Sequence, residues 1–242
     1  MDVLVVEDAP TISHLVEGIL TKNRHQVRCV DTVAAAHQEL GRRQPDLIVL
    51  DLGLPDGDGI DFCVSIRPSS DAYILMLSGR TEEVDKITGL RCGADDYIAK
   101  PLSPREFEAR IAAIARRFDK SDRRYMIPRQ SVDNGDGKAE TASFSHHRVV
   151  LDGGRRTVVA DQRSVELTRV EFDLLAMLME NPTRVFTRAQ IIERVWGYDY
   201  LGQDHVLDVH IGNLRRKLRE AGVDGFVRTV RGVGYGLTLE AA

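Results

Sequence analysis

Five side chains at the ends of short apolar runs are the first that could do chemistry together. Glu7 and Asp8 follow Val3–Val6, Asp51 follows Leu47–Leu50, Ser78 follows Tyr73–Leu77, and Lys100 follows Asp96–Ala99. Carboxylates with no His or Cys beside them favour a hard, oxygen-loving cation such as Mg2+. Such an ion takes one or two carboxylates and completes its sphere with water and phosphate oxygens. An ammonium and a hydroxyl at the same edge would suit a bound phosphoryl group. One acid at a strand end is as often a solvated turn residue or a helix cap. Acids at two ends, a hydroxyl at a third and Lys-Pro at a fourth are much harder to assemble by chance. The chain has neither a G-x-x-x-x-G-K-[ST] nor a G-x-G-x-x-G loop, so no nucleotide site is indicated.

A second group lies near the C-terminus. Arg215, Arg216, Lys217, Arg219, Arg228 and Arg231 face only Glu220 and Asp224 over 17 residues. A helix expected over 204–220 would bury Leu207, Ile211, Leu214 and Leu218. Its opposite face would carry His205, Val209, Gly212, Asn213 and Arg216, flanked by Arg215 and Arg219. A basic, polar outer face on the last helix of a trihelical unit fits a recognition helix in a major groove. Arg231, in a hairpin expected over 227–239, could reach an adjacent minor groove. A valine outside a complete core stripe is poorly placed in water, and a thymine methyl would give Val209 an apolar partner. Set against this, an Arg-Arg-Lys-x-Arg run more often solvates a surface helix.

The elements that must position these residues follow from the pattern. Val3–Val6, Gln26–Val30, Leu47–Leu50, Tyr73–Leu77 and Asp96–Ala99 read as strands, three of them nearly continuous apolar runs suited to a buried parallel sheet. Helices are expected over about 9–23, 32–43, 59–67, 81–92 and 104–118, the last with Phe107, Ile111, Ile114 and Phe118 along one face. Five βα units make a small doubly wound sheet, and such sheets bind ligands beyond the carboxyl ends of their strands. After residue 145, short strands are expected at 147–151, 157–160 and 165–167. Thr168-x-x-Glu171 and Thr187-x-x-Gln190 are capping boxes that open two helices.

Between the halves, residues 119–145 are polar and aperiodic around Asp133-Asn134-Gly135-Asp136-Gly137, as expected of a flexible linker in which Arg123 and Arg124 are solvated. The expected domains are 1–118, the linker 119–145, and 146–242. The net charge of −4 hides an asymmetry: residues 1–118 carry 14 basic against 19 acidic side chains, and residues 146–242 carry 14 against 13. No apolar run approaches about 18 residues, so no spanning helix is expected. Met1–Asp8 reads as a first strand rather than a signal peptide. Three widely spaced cysteines form neither a metal pattern nor a disulfide framework, which suits a reducing cytoplasm.

The N-terminal motifs, Leu4-Val5-Val6-Glu7-Asp8, Pro45 to Gly59, Leu77-Ser78-Gly79 and Gly93 to Leu102, resemble receiver domains of two-component response regulators. The C-terminal stretches Leu167-Thr168-x-x-Glu171-Phe172, Val195-Trp196-Gly197, Val209 to Leu218 and Thr229 to Tyr235 resemble the winged-helix effector of the OmpR/PhoB-like subfamily. The resemblance implies a five-stranded parallel α/β receiver of the flavodoxin/CheY-like kind followed by an α+β winged helix-turn-helix domain. It implies that Asp51 accepts a phosphoryl group from a sensor histidine kinase. Glu7, Asp8, Asp51 and the carbonyl of Gly53 would hold Mg2+. Lys100 would pair with the phosphoryl oxygens, Ser78 would hydrogen-bond to them and Tyr97 would swing inward as a switch. Lys86, Asp95, Asp96, Glu106 and Arg110 match the family's receiver dimer interface, and Thr229 joins the residues expected on promoter DNA. Three departures stand out: Gly79 where many relatives carry Ala, Gly53 with no side chain two residues past the acceptor, and Gly236 in place of the usual Arg after Tyr235.

The expectation is a cytoplasmic, phosphorylation-switched transcription factor that dimerises when phosphorylated and is not an enzyme. A Mg2+-dependent phosphohydrolase using Asp51 is disfavoured, because no second acid follows Asp51 at two residues and a DNA-binding module is attached. An atypical regulator that binds DNA without using its phosphosite is the remaining alternative.

Overall fold

The structure is a computed structural model that describes residues 1–79, 83–124, 143–197, 200 and 205–239, with the side chains of 83–86 and 119–124 outside the description. It divides into two compact units, one of Met1–Ala113 with Asp199–His210, the other of Ile114–Tyr198 with Ile211–Ala242.

In the first unit the alternation of apolar runs and amphipathic stretches becomes β1 (Asp2–Val6), α1 (Pro10–Lys22), β2 (Gln26–Val30), α2 (Val33–Arg42) and β3 (Leu47–Asp51). A two-residue pair, β4 (Gly53–Leu54) and β5 (Gly57–Asp58), leads into α3 (Gly59–Ile66). Then come β6 (Tyr73–Ser78), α4 (Glu83–Arg91), β7 (Asp96–Ala99) and α5 (Pro104–Arg124). The five long strands form one parallel sheet in the order β2-β1-β3-β6-β7. The order reverses between β1 and β3, so the crevice of this sheet opens where those two strands end. β1, β3 and β6 are buried at every residue, which is why their apolar runs do not alternate. β2 lies at the edge and is only partly covered.

Pro10 enters α1 at its first turn, where its missing N–H costs nothing. Thr32 and Asp58 cap α2 and α3 by accepting from Ala35 N and Ile60 N. Gly59 is required by a close approach: a Cβ there would lie 2.3 Å from the carbonyl oxygen of Asp51 and 2.9 Å from Cα of Leu52. The chain beyond β3 can therefore fold back against the strand end only with hydrogen at that position.

The second unit is built from β8 (Ser143–His146), β9 (Val149–Asp152), β10 (Thr157–Ala160), β11 (Arg163–Ser164), α6 (Arg169–Glu180), β12 (Phe186–Thr187), α7 (Arg188–Val195), the greater part of α8 (His205–Glu220), β13 (Val227–Val230) and β14 (Gly234–Leu237). β8 to β11 make an antiparallel sheet, and β12, β14 and β13 make a second one with β14 central. Both capping boxes are present, with Thr168 accepting from Glu171 N and Thr187 from Gln190 N.

Several boundaries differ from the sequence expectation. The strand expected at 165–167 is instead β11 at Arg163–Ser164, because Asp161 and Gln162 both take positive φ, 48° and 63°. That geometry is a two-residue hairpin turn, so pairing resumes immediately after it. Residues 119–124 continue α5, and 143–146 form β8. Of the expected linker, residues 125–142 lie outside the described residues. Among the described residues no helix is long and apolar enough to cross a membrane.

Candidate functional site: a phosphoacceptor crevice and a DNA-facing helix

The strand registers bring the first group together. Val6 pairs with Leu50, Asp51 with Leu77, and Ser78 with Ala99. The residues that follow each strand therefore share one edge of the sheet. Glu7, Asp8 and Asp51 each offer a carboxylate oxygen, and these atoms lie within 4.8 Å of one another. Lys100 Nζ sits 2.9 Å from Glu7 Oε2 and 2.9 Å from Asp51 Oδ2. Its amide donates to the Ser78 carbonyl at 2.7 Å, which fixes the start of the Lys100 stem against β6. Glu7, Asp51 and Ser78 are buried, whereas Asp8 is exposed. Gly53 N donates to Asp51 Oδ1 at 3.3 Å, so the backbone of Gly53 lies beside the carboxylate, and Gly53 itself is exposed. Tyr97 is buried at 7% exposure.

Burial sets the electrostatics. It pushes the Glu7 carboxyl above 4.5, reinforced by the neighbouring Asp51 charge and opposed by the Lys100 hydrogen bond. Burial alone would lower the Lys100 ammonium, but its hydrogen bonds to Glu7 and Asp51 outweigh that and hold it above 10.5. Three acids meet one ammonium here, so the crevice carries surplus negative charge. The donor set is all oxygen, one member faces solvent, and a buried member resists ionisation. This fits a hard divalent cation.

The residues expected at a dimer interface divide. Asp95 is fully buried and accepts from Arg67 Nη2 and from Ile74 N at 2.9 Å. Arg67 also donates to the carbonyls of Gly93 at 2.6 Å and Ala72 at 2.5 Å. Asp95 is thus an internal clamp on the start of β7, a correction to its reading as an open surface charge. Asp96 and Arg110 are also buried, paired at 2.6 Å and 2.7 Å through both carboxylate oxygens. Arg110 reaches Glu106 at 2.9 Å, and Glu106 stays partly open. Lys86 lies in α4, with its side chain outside the described residues.

The second group divides in the same way. Leu207, Ile211, Leu214 and Leu218 are buried as expected. Asn213 is also buried, at 6% exposure, which corrects its outward placement. The covered face of α8 is broader than the leucine row: Val206 and His210 are buried and Lys217 Nζ is held at 2.7 Å by the buried Glu171, so Asn213 falls on a row with period i, i+4, i+7, i+11. Arg215 is tied to β13 by its guanidinium. His205, Arg216, Arg219, Thr229 and Arg231 are exposed, and Val209 is half-buried. Arg216 pairs with Glu220 at 2.9 Å and Arg219 with Asp224 at 3.1 Å, both exposed pairs that hold their cations only weakly. Sequence reasoning missed that Lys217 and Arg215 are spent inside the protein. The only hint was their position beside Leu214 and Leu218.

Comparisons with known proteins agree with this division. Residues 3–112 match the response regulator receiver domain, and residues 162–237 match the family described as transcriptional regulatory protein, C terminal. The chain is 38% identical over 236 residues to the sensory transduction protein RegX3 of Mycolicibacterium smegmatis (strain ATCC 700084 / mc(2)155), spanning 97% of this chain and 98% of the relative. It is 37% identical over 236 residues to the phosphate regulon transcriptional regulatory protein PhoB of Escherichia coli (strain K12), spanning 96% of each. A solved structure of a RitR mutant is similar over 98% of both chains at 28% identity, with a TM-score of 0.79. A receiver domain with an acidic crevice, joined to a winged-helix domain with a basic helix, places the chain: it belongs to the OmpR/PhoB-type response regulators, the phosphorylation-dependent transcriptional regulators of two-component systems.

Proposed function

We propose that Asp51 is the phosphoacceptor, that Glu7, Asp8, Asp51 and the carbonyl of Gly53 hold Mg2+ for the transfer, and that the phosphorylated receiver pairs with a second copy to bring two winged helices onto promoter DNA. The observation that carries this reading is Lys100 Nζ lying 2.9 Å from both Glu7 and Asp51, at the point where the strand order reverses.

A carboxylate attacks a phosphoryl group poorly because both are anions, so positive charge must be gathered first. Mg2+ held by Glu7, Asp8, Asp51 and the Gly53 carbonyl would supply part of that charge as a Lewis acid. The chain's own residues do the rest. Asp51 Oδ forms the new P–O bond as the P–N bond to the donor's phosphohistidine breaks, and the imidazole leaves. Lys100 exchanges its Asp51 partner for a phosphoryl oxygen while keeping Glu7. Ser78 donates its hydroxyl to another oxygen, and Tyr97 follows as the switch. The new negative charge is what the rest of the molecule senses. A sensor histidine kinase and double-stranded DNA as partners support a cytoplasmic setting for this reaction. The chain receives one phosphoryl group per cycle and serves as a switch rather than an enzyme.

For the dimer, the partly open Glu106 is the charge for the partner, while the Asp96–Arg110 pair holds that face from inside. For DNA, His205, Val209, Arg216, Arg219 and Arg231 are the contacts. The direct test is chemical. Incubation with Mg2+ and acetyl phosphate should add one phosphoryl mass to the wild type and none to Asp51→Asn. Equal labelling of both would refute the assignment.

A further inference from the structure

We propose that Arg215 is a positioning residue, a strut from α8 to β13 that sets where the hairpin β13–β14 presents Arg231 to DNA, rather than a DNA contact itself; this deepens the DNA-binding reading and rests on it.

The geometry is that of a fork on an open sheet edge. In the order β12-β14-β13, β13 pairs among the described residues with β14 alone, so its other edge carries no strand there. Phe226 O accepts from Thr238 N at 3.0 Å, so the next carbonyl, that of Val227, turns away from β14. Arg215 Nε donates to that carbonyl at 2.8 Å, and Nη2 donates to Thr229 Oγ1 at 2.7 Å. The two acceptors are two residues apart on one strand, and one edge of the planar guanidinium meets both. The same guanidinium lies 5.6 Å from the Tyr235 ring centre, and Arg188 lies 5.9 Å from it and reaches its hydroxyl at 3.4 Å. Tyr235 is buried in β14.

On its other side β14 is held against β12 at the residue that follows the turn. A Cβ on Gly234 would lie 2.1 Å from the carbonyl oxygen of Phe186, so β14 is pressed against β12. The tip between Val230 and Gly234, with exposed Arg231 and Val233, is closed by a turn bond from Val233 N to Val230 O at 3.0 Å. Among the described residues, Arg215 is the side-chain tie between α8 and this strand. Two groups must meet DNA together, the α8 face and Arg231. A two-bond tie to Val227 and Thr229, ending two residues before Arg231, fixes their separation. A free arginine on a phosphate would do none of this, and its charge alone would matter.

The two roles separate in the salt dependence of binding. The probe is a 30-base-pair duplex enriched by the wild-type protein from a random pool. The slope of log affinity against log salt falls by about one for each phosphate that is no longer neutralised. If Arg215 is a strut, Arg215→Lys should behave like the loss of the residue, because an ammonium keeps the charge but cannot make both bonds. Thr229→Val, which removes no charge, should lower the slope by about one as well. Each change should have no further effect in an Arg231→Ala background. Amide exchange along β13 in the free protein should quicken in Arg215→Lys and Thr229→Val while α6 stays protected, which separates a loosened strand from general unfolding. A full slope in Arg215→Lys and Thr229→Val, additive weakening with Arg231→Ala, or no effect of Arg231→Ala would each overturn the proposal. A pool from which the wild type enriches nothing would instead defeat the DNA-binding reading.

Discussion

At the scale of single residues, the acidic crevice is a site under tension that a cation would relieve. Ionised Glu7 is disfavoured by burial and by Asp51, so its folded-state pKa is raised above 4.5. A group raised in this way favours the folded state most when protonated, and that contribution fades as pH climbs through the raised value. At neutral pH the ionised carboxyl therefore costs stability, and a bound cation should return it. Magnesium should raise the melting temperature at pH 7.5, by an amount corresponding to about 2.7 kcal/mol at a hundredfold excess over Kd. The gain should shrink already above pH 4.5, as protons take Glu7 before the ion does, and Asp8→Asn should abolish most of it. Thermal melts at pH 7.5 and 5, with and without magnesium, check this, and an equal gain at both values would contradict it. The cysteines offer an independent check on burial. Cys63 is buried with its thiol pushed up to about 12, whereas Cys29 is exposed. Timed alkylation at pH 8 read by mass spectrometry should label Cys29 first and leave Cys63 until the protein unfolds. Most of the crevice was legible in the sequence, because strand-end positions follow from apolar runs alone. The roles of Asn213, Arg215 and Lys217 were not, because whether a helix residue beside the core stripe faces solvent depends on what covers it.

At the scale of elements, two junctions hold the crevice in shape. The first is the return of the chain from β3 to α3, where Gly59 N donates to Leu52 O at 3.1 Å and hydrogen alone fits beside Asp51. Gly59→Ala should cost about 1–3 kcal/mol by overpacking and also slow phosphorylation, since the displaced backbone carries the acceptor. Chemical denaturation and the labelling rate measure the two effects separately. The second is the Asp96–Arg110 pair between β7 and α5, both partners buried. Burial would lower the Arg110 guanidinium, and the Asp96 charge outweighs it and holds it raised. Arg110→Ala would strand a buried carboxylate and should cost roughly 3–5 kcal/mol. Urea unfolding decides this, and a cost below about 1 kcal/mol, the range of an exposed pair, would show that the pair is not sealed from water. The strands of the parallel sheet and both capping boxes were readable from runs and spacings. The β4–β5 pair was not, because two-residue strands have no period to read. β11 was misplaced because the left-handed turn at Asp161-Gln162 lacks the glycine that signals such a hairpin.

At the scale of the whole molecule, one new phosphoryl charge, proposed for Asp51, must alter how the protein meets DNA. Inverting a 1:99 equilibrium between inactive and active forms needs about 5.5 kcal/mol of differential stabilisation. An exposed ion pair contributes about 0–1 kcal/mol, so charges such as Glu106 cannot supply it alone and apolar contacts must share in a receiver dimer. Sedimentation of the phosphorylated protein should show a concentration-dependent dimer, and a pure monomer at high concentration would count against it. The sequence carried the two-part plan, an acidic front and a basic patch near the C-terminus, because charge segregation and motif spacing survive without any knowledge of packing. The most direct test of the account joins both halves in one titration. Binding to the enriched duplex is measured for the wild type and Asp51→Asn, each with magnesium, with and without acetyl phosphate. The phosphodonor should tighten binding by the wild type at least tenfold and leave Asp51→Asn unchanged. Equal affinity of the wild type with and without the donor, or equal tightening of both proteins, would contradict it.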